Sequence, residues 1–179
     1  MPSADEKLLL TTPKFRVVET TVTSPKGLTK ARAVIRHPGA VVIVPMLDDF
    51  HVCMIRNFRV SVGKVLLELP AGTLEPPEPP HECAVRELIE ETGYRCQKMQ
   101  PLSSFFLSPG ILDERMHLFV ATGLSAGATA REEGEEIDNE ILPLDDALEL
   151  AMQGQIEDAK SIAGLFWVDR LRQAGKLSY

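Results

Sequence analysis

Acidic side chains are concentrated in one short segment whose apolar residues recur at helical spacing. Glu87 and Glu91 are one helical turn apart, and Glu90 is three residues from Glu87, so the three carboxylates are expected near one face of a helix. Their like charges would weaken an isolated helix, so the arrangement is best explained by a divalent cation bound among them. Ligands that are all oxygen atoms favour Mg²⁺, or alternatively Mn²⁺, over zinc.

Three neighbouring residues could complete a metal site. Gly72 would allow the backbone to approach closely before the helix, and the carbonyl oxygen of Ala71 would then be a further ligand. Arg86 is expected to orient the carboxylates rather than to bind substrate. A metal held in this way can bridge diphosphate oxygens, neutralise charge on the leaving phosphate and activate a water. Considered alone, a charge run is more often a solvated helix face.

The spacing of seven residues separates this segment from an ordinary acidic helix. In the pattern G-x5-E-x7-R-E-Leu-x-E-E-x-G, the fixed residues are Gly72, Glu78, Arg86, Glu87, Glu90, Glu91 and Gly93. If common residues each make up about 7% of a sequence, such a match arises by chance at about one in 10⁸ positions. The pattern resembles the Nudix box, with Tyr94 in place of the usual branched aliphatic residue. The resemblance implies a metal-dependent hydrolase or, if activity has been lost, a Nudix fold used for binding.

The chain from about Phe15 onward is similar to the ADP-ribose pyrophosphatase group of Nudix hydrolases. The stretch LELPAG at 67–72 resembles that group's entry to the box, and Pro109 follows Tyr94 by fifteen residues, as is typical of the group. The resemblance implies hydrolysis of ADP-ribose to AMP and ribose 5-phosphate. The alternative is another nucleoside diphosphate sugar, of the ADP-glucose or GDP-mannose type.

The same resemblance implies three substrate contacts. Glu114 would contact the distal ribose, Arg59 would contact substrate, and Arg32 would stack on the adenine, often from the partner subunit in this family. A guanidinium plane suits such stacking. Two alternatives stay open, because Arg59 is equally explained as an exposed charge at a strand end and Arg32 as a solvated strand residue.

An acidic stretch, EEGEE at 132–136, resembles the loop that supplies a catalytic carboxylate and sometimes a further metal ligand in this group. By position, Glu133 is the candidate general base and Glu135 the candidate ligand. Closure of such a loop on bound metal and diphosphate would complete the site only when substrate is present. The alternative is a solvated acidic loop.

The apolar pattern predicts the elements that hold these side chains. Strands are expected over 15–23, 28–35, 40–45, 51–55, 65–69, 103–107 and 116–122, and helices over 79–92, 145–152 and 159–171. The first two strands would form an antiparallel hairpin, 40–45 and 51–55 would pair antiparallel in a central sheet, and 126–139 would be a loop. The order of elements predicts an α/β fold, a layered α/β/α sandwich around a mixed sheet.

The length of the chain limits its organisation. Its 179 residues are expected to form one main domain over 38–179, preceded by a tail and hairpin over 1–37. Such a hairpin is too small to bury its own apolar face, and the resembled group commonly pairs through it, so we expect a homodimer.

Charge and cysteine content narrow the partners and the compartment. The net charge of −7 argues against a nonspecific nucleic-acid or membrane surface. No stretch reaches the roughly 20 apolar residues that span a bilayer. The three cysteines lack C-x-x-C spacing and are expected to be reduced, which favours the cytoplasm.

Overall fold

The computed structural model describes residues 6–128 and 137–177. In chain order the elements are β1 Lys7–Thr11, β2 Arg16–Thr23, β3 Thr29–Arg36, β4 Ala40–Pro45, β5 His51–Arg59, β6 Lys64–Glu68, β7 Ala71–Thr73, α1 Pro80–Glu87, β8 Tyr94–Arg95, β9 Lys98–Phe106, β10 Arg115–Thr122, β11 Ser125–Ala126, β12 Ile137–Pro143, α2 Leu144–Met152 and α3 Ala159–Gln173. A π-helical segment, Leu88–Thr92, continues α1. The predicted strands and helices are all present, with ends shifted by a few residues.

A mixed sheet in the order β7-β4-β10-β9 forms the middle layer, with β4 and β10 parallel and the other pairs antiparallel. Every residue of β4 is buried. Val41 and Ile43 pack in the cluster that contains α1, whereas Val42 and Val44 pack with α3 on the opposite face. A strand covered on both faces has no polar side, which explains its continuous apolar run. The predicted α/β/α sandwich around a mixed sheet is confirmed.

The chain leaves this central sheet after β4. β5 pairs with β6 and β12 in an antiparallel sheet, in the order β12-β5-β6. The prediction that β4 and β5 are neighbours in one sheet is therefore wrong, and the two meet at an antiparallel bridge between Met46 and Val52. Two short apolar strands close in sequence look alike whether they pair or pass to different sheets, because periodicity reports burial and not partners.

The N-terminal part is a three-stranded antiparallel sheet rather than a hairpin alone. β2 and β3 form the predicted hairpin, and β1 pairs with the free edge of β2. β1 was not predicted, because its residues are exposed and lack the alternation that marks a half-buried strand. A bridge between Ile35 and Leu112 and an ion pair between Arg36 and Asp113 attach this sheet to the rest of the chain.

The helix of the box differs from the prediction in its second half. α1 ends at Glu87, and Leu88–Thr92 is π-helical, so its turn is wider than the α-helical turn assumed for Glu90 and Glu91. Gly93 ends the segment in the left-handed region, at φ 75°, as expected of a glycine C-cap. Apolar spacing over one turn cannot separate these helix types, and π-helical turns are frequent at functional sites.

The predicted loop over 126–139 is too long at its C-terminal end. β12 begins at Ile137, which is buried and pairs opposite Asn57 of β5. Residues 129–136 lie outside the described part of the chain. No helix in the described ranges is both long and apolar enough to cross a membrane.

Candidate active site

A cleft of about 1130 Å³ separates the N-terminal sheet from the box. Its volume is slightly above the range of about 300–1,000 Å³ that is usual for small-molecule sites. The connection between β1 and β2 contributes 11–16, and the entry to the box contributes 71–76. Other lining residues are Glu6, Thr20, Arg36, His37, Pro38, Asn57, Arg59, Arg86, Glu87, Glu90, Glu91 and Asp113. The cleft thus forms within one chain and brings the box carboxylates to one wall.

Gly72 is required by the position of the Glu87 side chain. A Cβ atom built on Gly72 would lie 1.8 Å from Cδ and from Oε1 of Glu87 and 2.4 Å from Oε2. No side chain fits at these distances, so a larger residue would displace the carboxylate. The glycine of the box therefore provides the space in which Glu87, itself buried, lies against the backbone of β7.

Arg86 is the centre of the hydrogen-bond network among the box carboxylates. Its Nε and Nη2 donate to the two carboxylate oxygens of Glu78, at 2.9 and 3.0 Å. Its Nη1 donates to Glu87 at 2.7 Å and to Glu90 at 2.9 Å. The hydrogen bonds from Arg86 lower the pKa of Glu78 to about 2, and those to Glu78 in turn raise the pKa of Arg86. Glu78 and Arg86 are therefore ionised at neutral pH, and Arg86 orients Glu78, Glu87 and Glu90 through its hydrogen bonds.

Glu91 is held separately from the Arg86 network. Its side chain is buried, and Oε2 accepts the backbone N–H of Ala71 at 2.8 Å. The structure therefore brings Ala71 next to a box carboxylate, as a metal site formed by both would require.

The box carries more negative than positive charge. Glu78, Glu87, Glu90 and Glu91 provide four carboxylates against the single guanidinium of Arg86. Among the described residues, no three acidic, histidine or cysteine side chains converge in the geometry of a ready-made metal site. The oxygen donors and the excess charge suit Mg²⁺ or Mn²⁺.

Arg59 lies in the cleft and is held by a buried carboxylate. Its Nε and Nη2 donate to the two oxygens of Glu68, at 2.8 and 2.6 Å. These hydrogen bonds raise the pKa of Arg59, and the charge of Glu91 adds to the effect. Arg59 is thus a fixed cation close to the box rather than a loose charge at a strand end.

Arg32 and Glu114 lie outside the cleft of the described chain. Arg32 is exposed in the middle of β3, opposite Thr20, and Glu114 lies with its carboxylate 3.9 Å from Nδ1 of His37. Neither belongs to the described lining of the cleft in one chain. Glu133 and Glu135 lie outside the described residues.

Several residues that line the cleft were not predicted from the sequence. Lys14 lies between β1 and β2, Arg16 is the first residue of β2, and Asp113, next to the predicted Glu114, accepts hydrogen bonds from Arg36 and from the backbone N–H of His37 at 2.9 and 2.8 Å. A residue in a loop or at the start of a strand gives no sign of which distant segment it will approach. The closeness of Lys14 and Arg16 to the box depends on how the N-terminal sheet packs against the rest of the chain. The two cations near a turn, Lys14 and Arg16, were the sequence feature that could have indicated this part of the cleft, and it is a weak one.

The sequence and the fold are similar to those of known proteins. The chain is 40% identical over 154 residues to a methanol dehydrogenase activator of Bacillus methanolicus, covering 85% of this chain and 83% of that protein. It is 38% identical over 139 residues to an ADP-ribose pyrophosphatase of Bacillus subtilis (strain 168), covering 76% and 75%. A crystal structure of an ADP compounds hydrolase has the same fold, with a TM-score of 0.83 at 24% identity over 97% of this chain and 95% of that chain. A NUDIX domain model matches residues 36–165, which include the whole box, so the chain belongs to the Nudix family.

Proposed function

We propose that this Nudix hydrolase cleaves the diphosphate bond of nucleoside diphosphate sugars, with ADP-ribose as the preferred substrate and AMP and ribose 5-phosphate as products. The observation that carries the proposal is the excess of carboxylates on one wall of a cleft that is also lined by cations. Those cations are Lys14, Arg16, Arg36 and Arg59. A diphosphate bound with a divalent cation needs both kinds of charge, since the metal meets the carboxylates and the phosphate oxygens meet the cations.

Glu87, Glu90 and Glu91, with the carbonyl oxygen of Ala71, would hold Mg²⁺, and Mn²⁺ is the alternative. Glu135 would add a further ligand. When bound, such a metal neutralises charge on the diphosphate and lowers the pKa of a coordinated water. The support for this assignment is the donor set and the space that Gly72 leaves beside Glu87.

The residues of the chain would divide the remaining work. Arg86 orients Glu87 and Glu90 through its hydrogen bonds, and Glu90 adds a carboxylate close to the reacting phosphate. Glu133 would accept the proton of the attacking water. The oxygen of that water forms a bond to one phosphorus, the bridging P–O bond breaks, and two phosphate monoesters leave. Arg59 would bind a phosphate oxygen throughout.

Substrate recognition and assembly are linked in this proposal. Arg32 would stack on the adenine and Glu114 would contact the distal ribose, and neither lines the cleft of its own chain. A homodimer formed through the element at 1–37, with the Nudix domain at 38–179, would allow a partner to supply such contacts. Large apolar residues are exposed on this element, at Leu8, Leu9, Leu10, Val22 and Leu28. Exposed apolar patches commonly mark interfaces.

Light scattering on the purified protein tests the assembly. We expect the mass of a dimer, twice the 19.8 kDa of the chain. Substitution of Leu8 and Leu10 by serine is expected to shift the mass toward that of the monomer. A monomer in the unsubstituted protein would contradict the homodimer.

The proposed compartment rests on the cysteines. Cys53, Cys83 and Cys96 form no disulfide with one another, and the first two are buried. Burial also raises the pKa of Cys83 to about 12, which leaves it as an unreactive thiol. Three cysteines outside any disulfide fit a reducing compartment, and we propose the cytoplasm on that basis.

The reaction is tested by the release of AMP from ADP-ribose in the presence of Mg²⁺, with ADP-glucose and GDP-mannose measured alongside. We expect ADP-ribose to give the highest kcat/KM and chelation of the metal to abolish turnover. Activity on a hexose conjugate alone would keep the mechanism and replace the substrate. The outcome that contradicts the proposal is the absence of turnover with every substrate and either metal.

A second candidate function is regulation of another enzyme through a bound nucleotide. The observation that favours it is the 40% identity to a protein named methanol dehydrogenase activator. Such a module would bind ADP-ribose with Mg²⁺ in calorimetry without releasing AMP. The complete set of box carboxylates favours hydrolysis, because a binding module has no need to retain all of them.

A further inference from the structure

Four charged side chains form a second network beside the cleft: Arg59, Glu68, Asp158 and Lys160. Nζ of Lys160 donates to Oε2 of Glu68 at 2.7 Å and lies 2.8 Å from Oδ1 of Asp158. Arg59 donates to both oxygens of the same Glu68 carboxylate. The exposed fraction is 1% for Glu68 and 9% for Lys160. Two negative and two positive charges are thus balanced in a largely buried place.

Stability alone does not explain this network. Removing charged groups from water is costly, and a buried ion pair can often be replaced by apolar residues without loss of stability. Burial by itself would raise the pKa of Glu68, but the hydrogen bond from Arg59 and the nearby Lys160 lower it below its ordinary value. Glu68 therefore stays ionised although buried. A retained buried charge of this kind points to a role in fixing its partners.

The network reaches the cleft through one member. Arg59 is among the described residues that line the cleft, whereas Glu68, Asp158 and Lys160 are not. Arg59 binds Glu68 with its Nε and Nη2 edge, so Nη1 takes no part in that pairing. A guanidinium held along one edge presents its other donors in a fixed direction. Arg59 lines the same cleft as the box carboxylates Glu87, Glu90 and Glu91.

The first turn of α3 ties the network to the backbone that leads into the box. Asp158 caps α3 by accepting the backbone N–H of Ser161 at 2.9 Å, and the hydroxyl of Ser161 accepts the N–H of Leu69 at 2.7 Å. Lys160 thus lies between a helix cap and Glu68, the residue next to Leu69. The start of α3 and the end of β6 are therefore joined by hydrogen bonds.

We propose that Glu68 and Lys160 are positioning residues that hold the guanidinium of Arg59 against the diphosphate of the substrate. This role rests on the proposed function. Glu68 sets the direction of Arg59, and Lys160 fixes Glu68 by holding its Oε2 against the cap of α3. A misplacement of about 1 Å in such a group can lower a rate on the order of a hundredfold.

The test compares Lys160→Met with a matched control, Lys64→Met. Lys64 forms an ion pair with Glu157, so it joins the same two segments, β6 and the approach to α3, but both side chains are half exposed and neither lines the described cleft. We expect Lys160→Met to lower kcat/KM for ADP-ribose about tenfold or more, chiefly through a higher KM, since Arg59 binds the diphosphate before and during the reaction. Lys64→Met is expected to stay within about twofold of the unsubstituted protein.

A double-mutant cycle with Arg59→Met separates positioning from general damage. If Lys160 acts through Arg59, Lys160→Met causes little further loss of kcat/KM in the Arg59→Met protein. If the fold-decreases in kcat/KM caused by Lys160→Met and Arg59→Met multiply fully in the double variant, the proposal is wrong. If Lys160→Met does not fold, Glu68→Gln combined with Lys160→Met removes both buried charges, and the same cycle with Arg59→Met is measured on that pair.

An NMR measurement on the protein without substrate keeps the two proposals separate. The ¹⁵Nε–Hε signal of Arg59, assigned by its absence in Arg59→Met, is expected to be sharp in the unsubstituted and Lys64→Met proteins and broadened in Lys160→Met. An unchanged signal in Lys160→Met would overturn the positioning role. Absence of turnover in the unsubstituted protein, with the signal behaving as expected, would overturn the proposed function alone.

Discussion

The two charged networks beside the cleft differ in how their charges are matched. In the box, Arg86 hydrogen-bonds to Glu78, Glu87 and Glu90, and Glu91 adds a further carboxylate close by. In the second network, Arg59 and Lys160 balance the charges of Glu68 and Asp158. The box is partly open to the cleft, whereas Glu68 is buried.

This difference indicates what each network is for. An excess of carboxylates is unfavourable until a cation arrives, so the box is arranged to bind. A buried network with balanced charges is not stabilised by a further ion, and removal of one member strongly destabilises the fold. Such a network is therefore suited to fixing the positions of its own side chains. The same residue types therefore serve two purposes, and the charge balance separates them. Substitutions of single carboxylates should reveal this contrast.

The largest effect is expected from Glu91→Gln. Loss of one metal-binding carboxylate should lower kcat on the order of a thousandfold, because several kcal/mol of transition-state stabilisation come from a bound metal. Without metal the variant should be about as stable as the unsubstituted protein, since glutamine can still accept the N–H of Ala71 and the lost attraction to Arg59 is offset by weaker repulsion among the box carboxylates. AMP release and thermal unfolding with and without Mg²⁺ measure both effects.

Glu82→Gln is the control for this substitution. Glu82 is in the first turn of α1 but is exposed and outside the described lining of the cleft. Its rate and its stabilisation by Mg²⁺ should match those of the unsubstituted protein. If Glu91→Gln keeps full activity, or if Mg²⁺ stabilises it as much as it stabilises the unsubstituted protein, the box does not bind metal through Glu91.

Glu68→Gln, in contrast to Glu91→Gln, should lower the stability of the fold. It leaves Lys160 and Arg59 without their shared carboxylate, and an uncompensated buried charge costs about 3 kcal/mol of the free energy of unfolding. Urea unfolding measures this loss, and Mg²⁺ should not restore it. Glu157→Gln removes the exposed carboxylate of the neighbouring ion pair and should cost less than about 1 kcal/mol. Equal losses in the free energy of unfolding for Glu68→Gln and Glu157→Gln would contradict the distinction between the buried network and an exposed ion pair.

Gly72→Ala tests whether the box depends on the space beside Glu87. The added Cβ would displace the Glu87 carboxylate, and we expect kcat/KM to fall about a hundredfold with a weaker dependence on Mg²⁺. The comparison is Gly110→Ala, where an added Cβ meets nothing within 4 Å. A Gly72→Ala protein with unchanged metal dependence would show that Glu87 can move without consequence.

The sequence predicted the parts of this molecule that depend on local pattern. The fixed spacing identified the box, the apolar run at 40–45 indicated a strand of the central sheet, and a helix was correctly predicted to begin at Ala159, after the cap Asp158. Each of these features is set within one short continuous stretch of chain, where residue spacing, periodicity and capping act.

The features that the sequence did not reveal depend on distant contacts. Lys160 and Glu68 are 92 residues apart, and their pairing arises because α3 packs against the end of β6. β1 is a strand by virtue of its pairing with β2, since its own side chains are exposed. A buried Lys160 had no distinguishing mark, because lysine in the first turn of an amphipathic helix is ordinarily solvated.

The smallest effect is expected for Glu78→Gln, and it should depend on pH. Arg86 lowers the pKa of Glu78 from its ordinary 4.5 to about 2 in the folded protein, so the stabilisation is fully present above pH 4.5 and is lost as the pH falls through 2. We expect the variant to be less stable by about 1–2 kcal/mol at pH 7. Unfolding measured across pH 7 to 2 should show the two proteins converging toward the acid end. A difference that stays constant over this range would mean that the ionised carboxylate of Glu78 does not stabilise the box.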